Sequence, residues 1–209
     1  MGWGEFFALA SALCWALAVI LFRRAGDTLP AFELNLFKYL LGFALLVPTL
    51  LIVEGLQLPV YPLKDVAISL LSGYIGIALA DTWYLRALHL MGASRTGIVA
   101  SLLSPFVIVL SFLFLDESFR GLQVAGFALV MGGILLVNWK AHRQSVDTEH
   151  IRKGVLYGIG AVFLMAVGIV MVKEILETRS FVWTTQIRLA GGIAGMLIYL
   201  FLRKRQAAV

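Results

Sequence analysis

Seven long apolar runs restrict what this chain can fold into. Each is 18 to 23 residues long, close to the roughly 20 residues with which a helix crosses about 30 Å of hydrocarbon. Charged residues make up 14% of the chain, against about 25% in soluble domains, so a soluble fold cannot hide this much apolar surface. We predict an all-α, polytopic membrane helical bundle of about seven transmembrane helices. The runs are Gly4–Phe22, Phe32–Val53, Val66–Leu88, Thr96–Leu115, Leu122–Trp139, Gly154–Val172 and Phe181–Leu202.

The sequence also repeats itself at an offset of 150 residues. Lys38 falls on Arg188 at this offset, with no gap in the alignment of the two stretches. The first unit holds five runs, an odd number, so a second copy enters the membrane upside down, as in the inverted repeats of many secondary transporters. We predict a first five-helix unit at residues 1–140, a linker at residues 141–153, and the first two helices of an incomplete second unit at residues 154–209.

Lysine and arginine residues lie mainly on one side of the predicted bundle. Of the 17, 12 fall on the side of the odd-numbered connections and the tail, 4 fall on the other side, and Arg188 is set aside. Because cytoplasmic loops carry the excess of positive charge, this bias places the amino terminus outside and the linker in the cytoplasm. We expect a multi-pass protein of a bacterial or archaeal plasma (inner) membrane.

Asp81 is the one acidic residue well inside a predicted span. A charge at the bilayer centre costs about 2.5–3.5 kcal/mol, so it should face a cavity or a partner. Asp81 and Lys38 each lie about 10 Å from the same side of the membrane, at 1.5 Å per residue. We predict that they form an ion pair. The pair either ties two helices together, or Asp81 binds a proton or a cationic substrate with Lys38 as its competitor.

Arg188 begins at a similar depth from the opposite side. The cations Lys38 and Arg188 would then bracket the midplane and suit an anionic or zwitterionic substrate. Helix packing, with Arg188 bonded to carbonyl groups or to residues beyond this chain, is the competing interpretation.

Aromatic and hydroxyl side chains are weaker candidates for the same pathway. Tyr74, Asp81 and Tyr84 fall near one helical face, at spacings of seven and three. Ser104 precedes Pro105, where a bend could expose a carbonyl group to a cavity. Packing, interface anchoring and back-bonding of serine to its own helix are the ordinary alternatives. The predicted pathway residues are Asp81, Lys38, Tyr84, Tyr74, Trp15, Ser101, Ser104 and Arg188.

The segment from Gly76 to Trp139 resembles the EamA domain of the drug/metabolite transporter superfamily. The features that carry the resemblance are WYLRAL at residues 83–88, the GAS turn at 92–94, the Ser104–Pro105 pair, LDES with Glu117 at the end of the fourth span, and a glycine-rich fifth span. The resemblance covers essentially the whole chain, with residues 153–209 matching the start of a second unit.

The resemblance implies ten helices in two inverted five-helix units and transport by alternating access. Cargo in the family includes amino acids, metabolites, nucleotide sugars and drugs, and some members flip lipid-linked sugars. The family often has arginine in the second helix, where this chain has Lys38, and Glu117 would be structural. Three helices of the second unit are missing from this sequence, which we interpret as a fragment, a truncated product or a short member.

The leading functional prediction is a membrane permease that exports a small metabolite, amino acid or drug-like compound. A subunit that is inactive or depends on a partner, and a lipid or lipid-linked-sugar flippase, are the alternatives. HExxH and paired Ser/His motifs are absent from the spans, so we predict no enzyme, no catalytic residue, no metal and no cofactor. Expected partners are the lipid bilayer, an unknown small substrate and protons, with a homo- or hetero-dimer as an option; nucleic acid is not expected.

Overall fold

The computed structural model describes residues 3–55, 59–115 and 148–207, together with isolated helical positions between 121 and 133. All regular elements in these ranges are helices, as predicted. They are α1 (Trp3–Ala25), α2 (Ala31–Val53), α3 (Leu63–Gly73), a π-helical segment (Tyr74–Ala80), α4 (Asp81–Ala100), α5 (Leu103–Phe114), α6 (Thr148–Thr178) and α7 (Phe181–Ala207).

Five helical stretches in the described ranges are long and apolar enough to cross a membrane. They are Trp3–Ala25, Ala31–Val53, Leu63–Ala100, Glu149–Thr178 and Phe181–Arg203. These stretches confirm the first, second, third, sixth and seventh predicted spans, and the protein is a polytopic helical membrane protein. The fifth predicted span, Leu122–Trp139, lies almost wholly outside the described residues.

The third and fourth predicted spans are separated by a bend at Gly92. Its φ of 80° lies in the left-handed region, which glycine adopts without the steric penalty of a Cβ atom. The fourth span, predicted as one helix over Thr96–Leu115, is interrupted by a turn before α5 begins at Leu103. Pro105 then falls in the first turn of α5, where a missing N–H costs no intrahelical bond.

Helix α6 begins earlier than the apolar run predicts. It starts at Thr148 rather than at Gly154, because a polar turn continues the helix beyond its apolar part. Lys153 and Glu149 form an ion pair at 2.8 Å on this turn, at the i,i+4 spacing that supports a helix. Residues 148–153 of the predicted linker are therefore helical, while the division of the chain into two repeat units stays a prediction.

The directions of the helices follow from contacts between them. Asn35 contacts Met196 and Phe43 contacts Gln186, so α2 and α7 are antiparallel, which is the direction predicted for the corresponding helices of inverted units. Helix α4 packs along α6 around Val162, and α5 packs further along the same face of α6, against Ala166 and Val170. Helix α1 lies at the edge, and none of its described side chains is fully buried.

Close approach of α3 and the π-helical segment to α6 and α7 holds the centre of the bundle together. A Cβ atom at Gly73 would lie 1.9 Å from the Arg188 carbonyl oxygen, and one at Gly191 would lie 2.3 Å from the Leu70 carbonyl oxygen. Small residues are what permit such backbone contacts in lipid. The close packing positions Arg188 against the α3 side of the bundle, where the polar side chains gather.

Candidate functional site

Lys38 and Asp81 form an ion pair between α2 and the start of α4. The Lys38 Nζ atom lies 2.6 Å from Asp81 Oδ2, and the side chains are 20% and 8% exposed. The Tyr39 hydroxyl donates a hydrogen bond to the same carboxylate oxygen. Lys38 Nζ also lies 4.2 Å from the Tyr39 ring centroid and 5.5 Å from that of Phe22. The predicted ion pair is confirmed, and aromatic rings shield it from lipid.

Asp81 directly follows the π-helical segment, and Asn35 stabilises that segment. π-Helical turns are rare and occur frequently at functional sites. Asn35 is fully buried, and its Nδ2 donates to the Ile77 carbonyl oxygen at 2.9 Å and to Thr82 Oγ1 at 3.0 Å. The Thr82 hydroxyl in turn donates to the Ala78 carbonyl oxygen at 2.6 Å. These bonds give the Ile77 and Ala78 carbonyl groups side-chain donors. They thereby hold the end of the π-helical segment, and with it Asp81, in position.

Arg188 approaches the same centre from α7. Its Nε donates to the Ser72 hydroxyl at 3.0 Å, and that hydroxyl donates to the Gly168 carbonyl oxygen at 2.6 Å. Among the residues that the structure describes, no carboxylate pairs with Arg188. Arg188 is partly buried, and a guanidinium group without a described acid beside it has donors that can bind an anionic group.

The antiparallel register of α2 and α7 sets the levels of the two cations. The contact between Phe43 and Gln186 puts Arg188 about one helical turn, on the order of 5 Å, from the level of Lys38 along the bundle. Tyr39 contacts Lys38 through its ring and bonds to the acid through its hydroxyl. The predicted cations thus belong to one polar centre, in which Lys38 pairs with the Asp81 carboxylate and Arg188 bonds to the Ser72 hydroxyl group.

Two other predicted residues lie beside this centre. Tyr84 is 5% exposed and stands three residues after Asp81. Its ring centroid lies 6.3 Å from that of Trp15 on α1. Tyr84 is therefore buried near Asp81, whereas Trp15 is 54% exposed at the edge of the bundle.

Three predicted residues are not brought to Asp81. Tyr74 is 41% exposed and packs towards Gly195 of α7. We expected it on the Asp81 face, but the intervening residues wind as a π-helix, which changes the angle per residue and rotates Tyr74 away. Ser101 and Ser104 are exposed, and the Ser101 hydroxyl bonds back to the Ile98 carbonyl oxygen. For Ser101, the ordinary alternative of back-bonding is therefore what the structure has.

Sequence reasoning missed Asn35, Tyr39 and Ser72. The signal for the first two was present, because Asn35, Lys38 and Tyr39 recur at helical spacing within an apolar run and so share one face. Polar residues placed this way in a transmembrane helix face the bundle interior. Ser72 had no comparable signal, since serine is common in such helices.

A polar latch joins the segment before α3 to the turn between α6 and α7. The Tyr61 hydroxyl donates to the Ser180 carbonyl oxygen at 3.2 Å and lies 3.1 Å from Thr184 Oγ1. The Ser180 hydroxyl donates to a Glu54 carboxylate oxygen. Arg179 forms an ion pair with Asp65 at 3.5 Å. These contacts close one end of the α3–α7 seam.

The chain's fold and polar centre define a polytopic membrane protein with a buried ionic site, and comparison with known proteins agrees. The model of the EamA-like transporter family matches residues 2–139, and the chain belongs to this family. It is similar to the "Uncharacterized transporter YetK" of Bacillus subtilis (strain 168), with 23% identity over 171 residues that cover 81% of this chain and 52% of that protein. The chain thus spans about half the length of that curated relative. No solved structure matches it.

Proposed function

We propose that the chain is a secondary transporter that exports a small metabolite, amino acid or drug-like compound by alternating access. Membership of a transporter family supports the class. The buried ion pair between Lys38 and Asp81 is the observation that carries the proposal. Isolated charges are costly inside a membrane, and they commonly mark ion and substrate pathways.

Asp81 is the proposed coupling residue. A proton or a cationic group that reaches the carboxylate competes with Lys38 for the same oxygen, so occupancy weakens the link between α2 and α4. Tyr39 can keep one hydrogen bond to Asp81 while Lys38 leaves. This exchange would allow the two helices to move apart when the site is loaded.

Arg188 would supply the anionic half of substrate recognition. Its Nε bonds to Ser72, which orients the guanidinium group and leaves other donors for a carboxylate or phosphate. An acid at Asp81, paired with Lys38, and a cation at Arg188, about one helical turn from the level of Lys38, suit a zwitterionic or mixed-charge compound. A substrate of this kind would bind both groups and thereby join α4 to α7.

In the proposed transport cycle, the latch around Tyr61 and Arg179 keeps one end of the bundle closed. Alternating access requires one end to open while the other closes, and contacts that differ between states control that choice. Polar contacts at 3.1–3.5 Å between the segment before α3 and the turn before α7 can be broken without exposing apolar surface. We propose that substrate release on this side requires their loss.

Uptake into proteoliposomes tests the coupling residue. Purified wild type, Asp81→Asn and the control Glu33→Gln would be reconstituted with an imposed pH gradient and a panel of labelled amino acids and drug-like cations. Glu33 is an exposed acid on α2 and should be dispensable. We expect Asp81→Asn to lose gradient-driven uptake and Glu33→Gln to keep it. Unchanged uptake in Asp81→Asn, with normal reconstitution, would refute the role of Asp81.

A partner-dependent subunit is the second candidate. A second copy or another chain would then complete the transport pathway. Crosslinking and mass measurement in detergent would show a dimer, and mixed proteoliposomes of wild type with Asp81→Asn would lose activity out of proportion to dose. A flippase of lipids or lipid-linked sugars is favoured by the lateral groove described next, and a dithionite assay with labelled lipid would detect it.

A further inference from the structure

A groove runs along the lipid-facing side of the seam between α3, the π-helical segment and α7. It consists of two adjoining cavities of about 180 and 590 Å³. Tyr74, Gly195 and Tyr199 line both cavities, so the two lie side by side along the seam. The groove is separate from the polar centre, since Asp81, Lys38 and Arg188 do not line it.

The two parts of the groove differ in chemistry. The larger part is lined by apolar side chains and glycine, including Leu70, Ile198 and Leu202. The smaller part has Thr82, Trp83 and Arg86 among its walls. Arg86 is the one charged residue among the described residues that line the groove. Its guanidinium carbon lies 5.8 Å from the Tyr157 ring centroid, and no carboxylate pairs with it in the described ranges.

The direction of the groove follows from the helices that form it. Helices α3 and α7 both begin at the end of the bundle that carries the latch, since Tyr61 contacts Thr184 there. Arg86 lies near the opposite end, six residues before the bend at Gly92. The apolar part spans Gly191–Leu202 of α7, roughly 17 Å at 1.5 Å per residue. That length is about half of the hydrocarbon core, the depth of one leaflet.

We propose that this groove binds an anionic phospholipid of the leaflet on the Arg86 side. The phosphate would bind Arg86, and one acyl chain would lie along the apolar part. Charge complementarity favours this occupant, because a basic residue between transmembrane helices attracts anionic headgroups. A neutral helix of another chain would leave Arg86 without a counter-ion. The proposal does not depend on transport activity.

Lipid retention measured by native mass spectrometry tests this site. The purified full chain would be titrated with phosphatidylglycerol and with phosphatidylcholine of the same acyl composition. We expect wild type to retain one phosphatidylglycerol molecule preferentially. Arg86→Gln should lower that preference on the order of fivefold, since a basic residue near an anionic lipid contributes about 1 kcal/mol. Arg86→Lys should restore most of it, and Asp81→Asn should leave it unchanged.

Two further variants separate the headgroup from the acyl chain. Arg95→Gln removes the next arginine along the chain, which does not line the groove, and should keep the preference. Ala194→Phe fills the apolar part at an exposed position and should lower retention of both lipids. Should this variant fail to fold, the comparison of Arg86→Gln with Arg95→Gln decides the question.

Three outcomes would overturn the proposal. Equal retention of the two lipids by wild type would show no headgroup recognition. An equal loss in Arg95→Gln would show a general effect of positive charge. Displacement of the lipid by inorganic phosphate alone would show a free-anion site with no role for the acyl chain.

Discussion

Lys38 on α2 and Asp81 at the start of α4 meet through a bond of 2.6 Å, and the hydroxyl of Tyr39 shares the same carboxylate oxygen. The acid therefore accepts two donors from consecutive residues of one helix. Its position is set on the other side by the π-helical segment, which Asn35 of the same helix stabilises. One face of α2 thus supplies Lys38, which pairs with the Asp81 carboxylate, and Asn35, which bonds to the backbone just before Asp81.

Removing one partner of the ion pair should destabilise the protein. Lys38→Met leaves the Asp81 carboxylate buried without its cation, and we expect a loss of about 3–5 kcal/mol in the free energy of unfolding. The double variant Lys38→Met/Asp81→Leu should recover most of this loss while remaining inactive in transport. Denaturant titration in detergent micelles would measure both.

The control for this pair is Lys153→Met, which breaks the exposed pair with Glu149. Exposed pairs contribute about 0–1 kcal/mol, so the effect should be small. If Lys38→Met/Asp81→Leu were as unstable as Lys38→Met alone, the loss of stability would not come from an unpaired Asp81 carboxylate.

Loss of the Asn35 side chain should loosen the π-helical segment. Asn35→Leu leaves the buried Ile77 carbonyl group without this donor, and we expect a cost of about 1–3 kcal/mol. Hydrogen exchange of residues 74–81 should accelerate locally. Thr185→Val, which removes an exposed hydroxyl that bonds within α7, is the control and should leave this exchange unchanged. Equal exchange rates in wild type and Asn35→Leu would show that the segment holds without Asn35.

Gly73 should not tolerate a methyl group. The Cβ atom of Gly73→Ala would lie 1.9 Å from the Arg188 carbonyl oxygen, so α3 and α7 must separate, at a cost of at least about 1–3 kcal/mol. Gly97→Ala is the matched control, because nothing lies within 4 Å of its Cβ position. That substitution should be neutral or stabilise the helix by about 0.5–1 kcal/mol. Thermal unfolding in micelles compares the two, and equal melting temperatures would disprove the close contact.

Breaking the latch should shift the bundle towards a state that is open at that end. Tyr61→Phe combined with Asp65→Asn removes the contacts to Ser180, Thr184 and Arg179. Spin labels introduced at positions 63 and 181 should then show a new population at longer distance. Glu149→Gln, which breaks an exposed pair elsewhere, is the control. An unchanged distance distribution in the latch variant would show that these contacts do not hold the end closed.

Much of the architecture could be predicted from the sequence, because it depends on the transfer free energy of individual residues. The bounds of α1, α2 and α7 agree closely with three of the apolar runs. The depth of Lys38 and Asp81 along their spans was sufficient to predict that they pair. Counting at 1.5 Å per residue works wherever a helix is regular.

Counting residues at the α-helical angle assigned the wrong face where the helix is irregular. Tyr74 and Asp81 were assigned to one face at the α-helical angle, but the segment between them winds as a π-helix. That segment is bonded at Ile77 by Asn35, which lies 42 residues away in the sequence. The partner of Arg188 was likewise unpredictable, because Ser72 meets it only through the close approach that Gly73 permits.

The sequence by itself determined the membrane-spanning helices, the family and the acid and cations that lie within the spans, since hydropathy and charge are properties of each residue. The tertiary structure alone decided that Tyr39 completes the site at Asp81, that Tyr74 leaves it for a lateral groove, and that a polar latch joins Tyr61 to Thr184. These arrangements arise from hydrogen bonds and backbone contacts between distant segments, whose geometry exists only when the helices pack.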